Sequence, residues 1–220
     1  AYISDKAPEL SILVLEGNDK VGKKLLATGN GRCNISNASG LEGKYHGGVD
    51  FAWDVFKGFT REETLEFFKK IGIPTVEEDQ GKLFPMSLQA GSVVDALRFK
   101  AEESADIICG GRVSAISYDK DVIVTSDKGV FCGSNVLVAC GGRAAANTGS
   151  DGSGYELLEA FGHRCNRSFP AIVQLITDTK KTKALAGIKW ICKVTARAGN
   201  QKRVEKGEVL FTDYGLSGPP

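Results

Sequence analysis

The run Gly22-Lys-Lys-Leu-Leu-Ala-Thr-Gly-Asn-Gly-Arg-Cys-Asn34 concentrates more usable chemistry than any other stretch of the chain. Gly29 and Gly31 would let a backbone approach a flat ring or a phosphate, Arg32 offers a charged planar fork, and Asn34 carries both a donor and an acceptor. Lys23 and Lys24 could neutralise phosphate charge, or simply occupy the exposed face of a helix. A packed surface loop would use the same glycines, so a structural role competes with a binding one. Cys33 has no resolving neighbour and suits packing better than redox work.

The run follows the apolar residues Ile12–Leu15 and the acid Glu16. A buried strand that ends in a carboxylate is how an α/β protein receives the hydroxyls of a nucleotide ribose. In a dinucleotide-binding unit that acid lies about 20 residues beyond the glycine fingerprint. Counting back from Glu16 passes residue 1. The spacing therefore predicts that 11–16 is the second strand of the unit, that residues 1–7 close the preceding helix, and that the glycine turn lies outside these 220 residues. The alternative is an ordinary first strand.

A second pair of glycines, Gly141 and Gly142, ends the apolar run Asn135–Cys140. Open α/β sheets bind ligands at such strand ends, although a plain turn would look the same. Gly149-Ser-Asp-Gly-Ser-Gly154 lacks the Gly-Lys-Ser/Thr ending of a phosphate-binding Walker loop, and no G-x-S-x-G elbow supports a hydrolase. His46 and His163 have no second histidine or cysteine at ligand spacing, so no metal is expected.

The elements that would position these residues follow from periodicity. Residues 51–56 have helical spacing, and Thr60-Arg-Glu-Glu63 is a capping box for a helix that Gly72 closes and Pro74 keeps closed. Val93, Val94, Leu97 and Ala101 mark an amphipathic helix over 89–104. Strands follow at 106–109, 113–118, 122–125 and 130–132, the last three as a meander, then a further strand at 135–140. Ser153-Gly-Tyr-Glu156 reads as a second capping box. Beyond Pro170 the texture turns β-rich, with strands at 171–176, 190–197 and 204–211. The division expected is therefore residues 1–168, with a helical excursion over about 50–88, and an incomplete β-rich domain over 169–220.

The 28 Lys and Arg and 27 Asp and Glu leave a formal charge of +1, which favours a small-molecule substrate over nucleic acid or an anionic membrane as partner. Six scattered cysteines, with Cys109 and Cys140 in apolar runs that read as buried strands, fit a reduced cytoplasmic protein. No apolar run is long enough to span a bilayer, and residues 1–15 lack a basic stretch followed by an apolar one, so a soluble protein is expected. The oligomeric state is not legible.

Residues 21–34, together with Lys82-Leu-Phe-Pro-Met-Ser87, Val138-Ala-Cys-Gly-Gly-Arg143, Gly149–Tyr155 and Leu210-Phe-Thr-Asp-Tyr-Gly-Leu-Ser-Gly-Pro219, resemble the signatures of the HI0933-like family of NAD(P)/FAD-dependent oxidoreductases. The resemblance covers essentially the whole chain. It implies an α/β fold: a partial FAD-binding, Rossmann-like domain of the glutathione-reductase type with a three-stranded meander, leading into a β-rich inserted domain. It implies FAD as cofactor, with Glu16, Lys23, Lys24, Gly29, Gly31, Arg32, Asn34, Gly141 and Gly142 around it, and places Val113 at the meander position whose backbone reads adenine. NAD(P)H as donor is compatible with the resemblance, without an identified site. The family's opening glycine turn and its closing return to the FAD domain are not among these residues, so the chain reads as a central fragment. The competing class is an inactive α/β binding or structural module.

Overall fold

In the computed structural model, residues 3, 6–39, 45, 48–170 and 173–218 are described. Two units divide after Cys165, residues 1–165 and 166–220.

The first unit is α/β and Rossmann-like. Strand β1 (Leu13–Glu16) pairs in parallel with β5 (Asp106–Cys109), Glu16 opposite Cys109, so both strands end at the same edge. Between them run the short helix α1 (Lys23–Leu26), helices α2 (Val49–Gly58), α3 (Arg61–Lys70) and α4 (Ala90–Glu102), and a small antiparallel sheet. That sheet has the order β2–β4–β3, from β2 (Ser36–Asn37), β3 (Thr75–Glu78) and β4 (Lys82–Pro85). The excursion expected to be helical is therefore helical only to Lys70. The glycine-rich stretch 29–48 and the expected helix end at 1–7 fall partly outside the described residues; Ile3 and Lys6 are helical.

Local chemistry accounts for the boundaries of α3. The Thr60 side chain accepts from the Glu63 N–H while Glu63 reaches back to the Thr60 N–H at 2.8 Å. At the other end Gly72 has φ 84°, its N–H bonds Lys69 O at 3.0 Å, and the Ile73 N–H bonds Phe68 O at 2.8 Å. This is a Schellman closure, and it turns Ile73 into the core. There Ile73 joins Cys33, Ala90 and the fully buried Val93, with Leu25, Phe68 and Leu97 around them. Burying a Val93-sized side chain contributes about 1.5–3 kcal/mol, so this cluster anchors the Gly22–Asn34 run to α4. Gly22 makes that contact close: with φ 79°, a Cβ there would lie 2.7 Å from Val94.

The meander forms as an antiparallel sheet of β6 (Val113–Tyr118), β7 (Val122–Ser126) and β8 (Gly129–Gly133). Residues 135–140, expected as a strand, have no regular secondary structure and pair with no neighbouring strand among the described residues, and Leu137 is 76% exposed. Apolar composition alone does not make a strand, which needs a neighbour to bond. Cys140, expected inside a buried strand, is exposed, and Cys109 is half-buried. Helix α5 (Ser153–Glu159) also departs from expectation: its cap is Gly152 at φ 88°, not Ser153. The Asp151 carboxylate takes the Ser153 N–H at 3.0 Å instead, so the second capping box does not form.

The second unit is a sheet of order β10–β11–β12–β9, from β9 (Leu175–Ile176), β10 (Lys189–Ala198), β11 (Gln201–Phe211) and β12 (Gly215–Ser217). The expected strand at 171–176 is described only from residue 173. A two-residue turn at Gly199-Asn200 joins β10 to β11, with Lys193 opposite Lys206 and Arg197 opposite Lys202. Trp190 meets Phe211 edge to face at 5.5 Å yet is half exposed, so it is a partial core residue.

Candidate functional site

The ten residues singled out from the sequence fall into two groups. Glu16, at the end that β1 shares with β5, is linked through Asn18 and the 148–155 segment to Gly141, Gly142 and, across a cleft, Val113. Glu16 Oε1 accepts from the Asn18 N–H at 2.8 Å and from Asn18 Nδ2 at 2.9 Å. Among the described residues no bond engages Oε2. The half-buried carboxylate is therefore held in place by one oxygen and presents the other. The Gly111 N–H bonds the Glu16 carbonyl at 2.9 Å, which locks the two strand ends together.

Asn18 extends the cluster. Its Nδ2 lies 3.4 Å from Thr148 O, and a Cβ on Gly149, at φ 96°, would collide with that amide. The loop from Gly149 onward then touches both neighbours: a Cβ on Gly141 would fall 2.9 Å from Ser150 Oγ, and Arg112 pairs with Asp151 at 2.7 Å. The Ser153 N–H and Arg112 hold the Asp151 carboxyl well below the usual carboxylate range. Asn18, Arg112 and Asp151 were not selected from the sequence. Their signals were present, in the Glu-x-Asn spacing and in the arginine directly after Gly110-Gly111.

Val113 lines a 360 Å³ cleft between β6 and α5, with Ile116, Ser153, Glu156 and Leu157. The β6–β7 register shifts between Val113 and Ala115, a bulge at the cleft. Gly142 closes against Tyr155, whose hydroxyl would stand 2.8 Å from a Cβ.

The second group, Lys23, Lys24, Gly29, Gly31, Arg32 and Asn34, is built on α4 and the small sheet. The Arg32 guanidinium lies 4.3 Å over the Phe84 ring and pairs with Glu78 at 2.7 Å. Asn34, with its amide oriented to satisfy both atoms, donates to Leu83 O and Ser36 O. Gly29 has φ 56°, and a Cβ would stand 2.5 Å from the Asn34 nitrogen and 3.0 Å from Phe84. These three residues thus fold the loop onto β4. Lys23, Lys24 and Gly31 face outward, with nothing within 4 Å of a Cβ on Gly31. Cys33 is 4% exposed at φ 60°, and burial pushes its thiol up, with Thr28 opposing weakly; this is core chemistry.

The open Glu16 oxygen and the close glycine contacts at Gly141 and Gly149 offer a hydrogen-bond acceptor and a near backbone of the kind a dinucleotide requires, whereas Lys23 and Lys24 lie in the other group. Among the described residues no cluster of three or more His, Cys, Asp or Glu could hold a metal, and no helix is long and apolar enough to cross a membrane.

The sequence profile of the HI0933-like protein Rossmann domain matches residues 1–204. The 3-dehydro-bile acid delta(4,6)-reductase of Clostridium scindens is 39% identical over 216 residues, 96% of this chain and 53% of that protein. A ribosomal RNA dihydrouridine synthase of Escherichia coli is 28% identical over 214 residues, 94% and 52% of the two chains. One from Haemophilus influenzae is 27% identical over 221 residues, 95% and 53%. The chain spans about half the length of these relatives.

Proposed function

Since this chain belongs to the HI0933-like family, we propose that the protein it represents is an FAD-dependent oxidoreductase that reduces a carbon–carbon double bond conjugated to a carbonyl. The observation that carries the cofactor half is the Glu16 carboxylate, fixed by Asn18 at the end of β1 with one oxygen unengaged among the described residues. The names of the relatives support the reaction class. A 3-oxo steroid with unsaturated 4 and 6 positions and a uracil base both place C=C beside C=O, and both reactions saturate it.

Bound FAD would supply the hydride, with NAD(P)H as the external donor. Glu16 would accept hydrogen bonds from the adenosine ribose, Lys23 and Lys24 would offset phosphate charge, and Val113 would line the adenine side through the cleft against α5. Arg32 and Asn34 would act at one remove, by fixing the loop that carries Gly31. A small-molecule substrate and a cytoplasmic location remain part of this reading. A second substrate, a uridine base within RNA, is favoured by the two ribosomal RNA dihydrouridine synthases among the relatives, and residues 166–220 carry a formal charge of +6 that suits a polyanion.

The test is the full-length protein, purified and examined for flavin absorption. Glu16→Gln should weaken FAD binding roughly 10–100-fold, the loss of a charge-assisted hydrogen bond. A colourless protein that added FAD cannot change would favour the inactive module.

A further inference from the structure

The overall charge of +1 conceals a strong asymmetry. Residues 166–220 contain ten Lys and Arg against four Asp and Glu, a formal +6, which leaves −5 on residues 1–165. The excess has a definite place. Directly paired residues share a face of an antiparallel ladder, and the register puts Lys193 opposite Lys206 and Arg197 opposite Lys202 on one face of the β10–β11 hairpin. All four are exposed. Glu208, on the same face, is engaged by Lys189 at 3.1 Å, and among the described residues no ion pair engages any of the four.

Like charges directly opposite one another destabilise a sheet. Two such pairs on one face of the same hairpin weaken it, and folding gives no reason for them. They make sense as a site for an anion. The pairs lie four residues apart, about 13 Å along the strands at ~3.3 Å per residue. Only Thr195 and Val204 stand between them. The result is a cationic track two strands wide, shaped for a linear chain of charges and not for a plane of lipid headgroups.

We propose that this face of the hairpin binds the phosphate backbone of RNA, without reading its sequence. The inference rests on the second substrate reading above and concerns a different part of the chain from the flavin contacts. The decisive variant is Lys202→Glu with Lys206→Glu, because each new carboxylate faces a cation across the ladder. The hairpin then gains two opposite-charge pairs while the track loses its net charge.

The measurement is fluorescence anisotropy of a labelled 20-nucleotide RNA titrated with the protein at several salt concentrations. The native sequence should bind with steep salt dependence. The double variant should melt no lower than the native protein, bind at least about tenfold more weakly, and lose about 2 from the salt slope, one per phosphate contact removed. Lys202→Gln with Lys206→Gln should show the same loss without the new pairs. Failure of the native protein to bind RNA, unchanged affinity in a folded variant, or tighter binding to phosphatidylserine vesicles than to RNA would each overturn the proposal. Flavin absorption, read on the same samples, reports separately on the cofactor: a flavin-containing protein that ignores RNA refutes only the track.

Discussion

Arg32 stacks on Phe84, its guanidinium carbon 4.3 Å from the ring centre, while its Nη1 holds Glu78 at 2.7 Å. The stack ties the glycine-rich loop to the most deeply buried aromatic of the small sheet. Arg32→Ala should therefore destabilise the protein by about 1–2 kcal/mol, the sum of a cation–π contact and a partly exposed ion pair. Glu78→Gln should cost less than about 1 kcal/mol. Urea denaturation of both variants checks this; an unchanged midpoint for Arg32→Ala would show that the arginine does not hold the loop.

Gly29 and Gly31 share a left-handed backbone but not a neighbourhood. A Cβ on Gly29 meets Asn34 and Phe84, whereas one on Gly31 meets nothing within 4 Å. Gly29→Ala should cost about 2–4 kcal/mol, conformational strain plus collision, and Gly31→Ala about 1–2 kcal/mol from strain alone. Thermal or urea midpoints separate the two, and equal losses would contradict the packing described for the loop.

Thr60 and Ser153 head the same four-residue pattern, yet only Thr60 forms its capping box. Thr60→Ala should cost about 1 kcal/mol, while Ser153→Ala should stay within about 0.5 kcal/mol. Circular dichroism during urea unfolding measures both. A larger loss at Ser153 would mean that its hydroxyl, and not Asp151, starts α5.

Asp151 provides a pH signature. Its carboxyl is held below the usual range, chiefly by the Ser153 N–H and then by Arg112, so the folded state favours the ionised form. Its contribution is present in full above the unfolded value of about 3.9 and drains away as pH falls toward the lower folded value. Urea midpoints from pH 6 to pH 2 should converge for the native protein and Asp151→Asn, with the native protein more stable only at the upper end. A constant difference across that range would remove the carboxylate from the account.

Much of this arrangement was legible in the sequence because its signals are local. The box at Thr60–Glu63, the Gly72 closure and the meander turns each rest on residues within a few positions, and each formed. The strand expected at 135–140 failed for a non-local reason, since an apolar run does not specify its hydrogen-bonding partner. The small sheet escaped notice because β2 is only Ser36-Asn37, β3 is Thr-Val-Glu-Glu with a single apolar residue, and β4 begins with Lys82 and ends on Pro85, so none reads as an apolar run. In the candidate site, residue types singled out Glu16 and the glycines as candidates, but did not show that Asn18 would hold Glu16 or that Arg32 and Asn34 would turn inward onto β4. The hairpin's charge was hidden by averaging over the whole chain.

The most direct test of the central claim is anaerobic spectroscopy of the full-length protein. The account predicts a bound flavin spectrum that NAD(P)H bleaches and that a 3-oxo steroid with a conjugated double bond, or a uridine-containing RNA, restores with saturation of one C=C per flavin reoxidised. A protein without flavin that cannot take up FAD, or a reduced flavin that neither acceptor reoxidises, would contradict it.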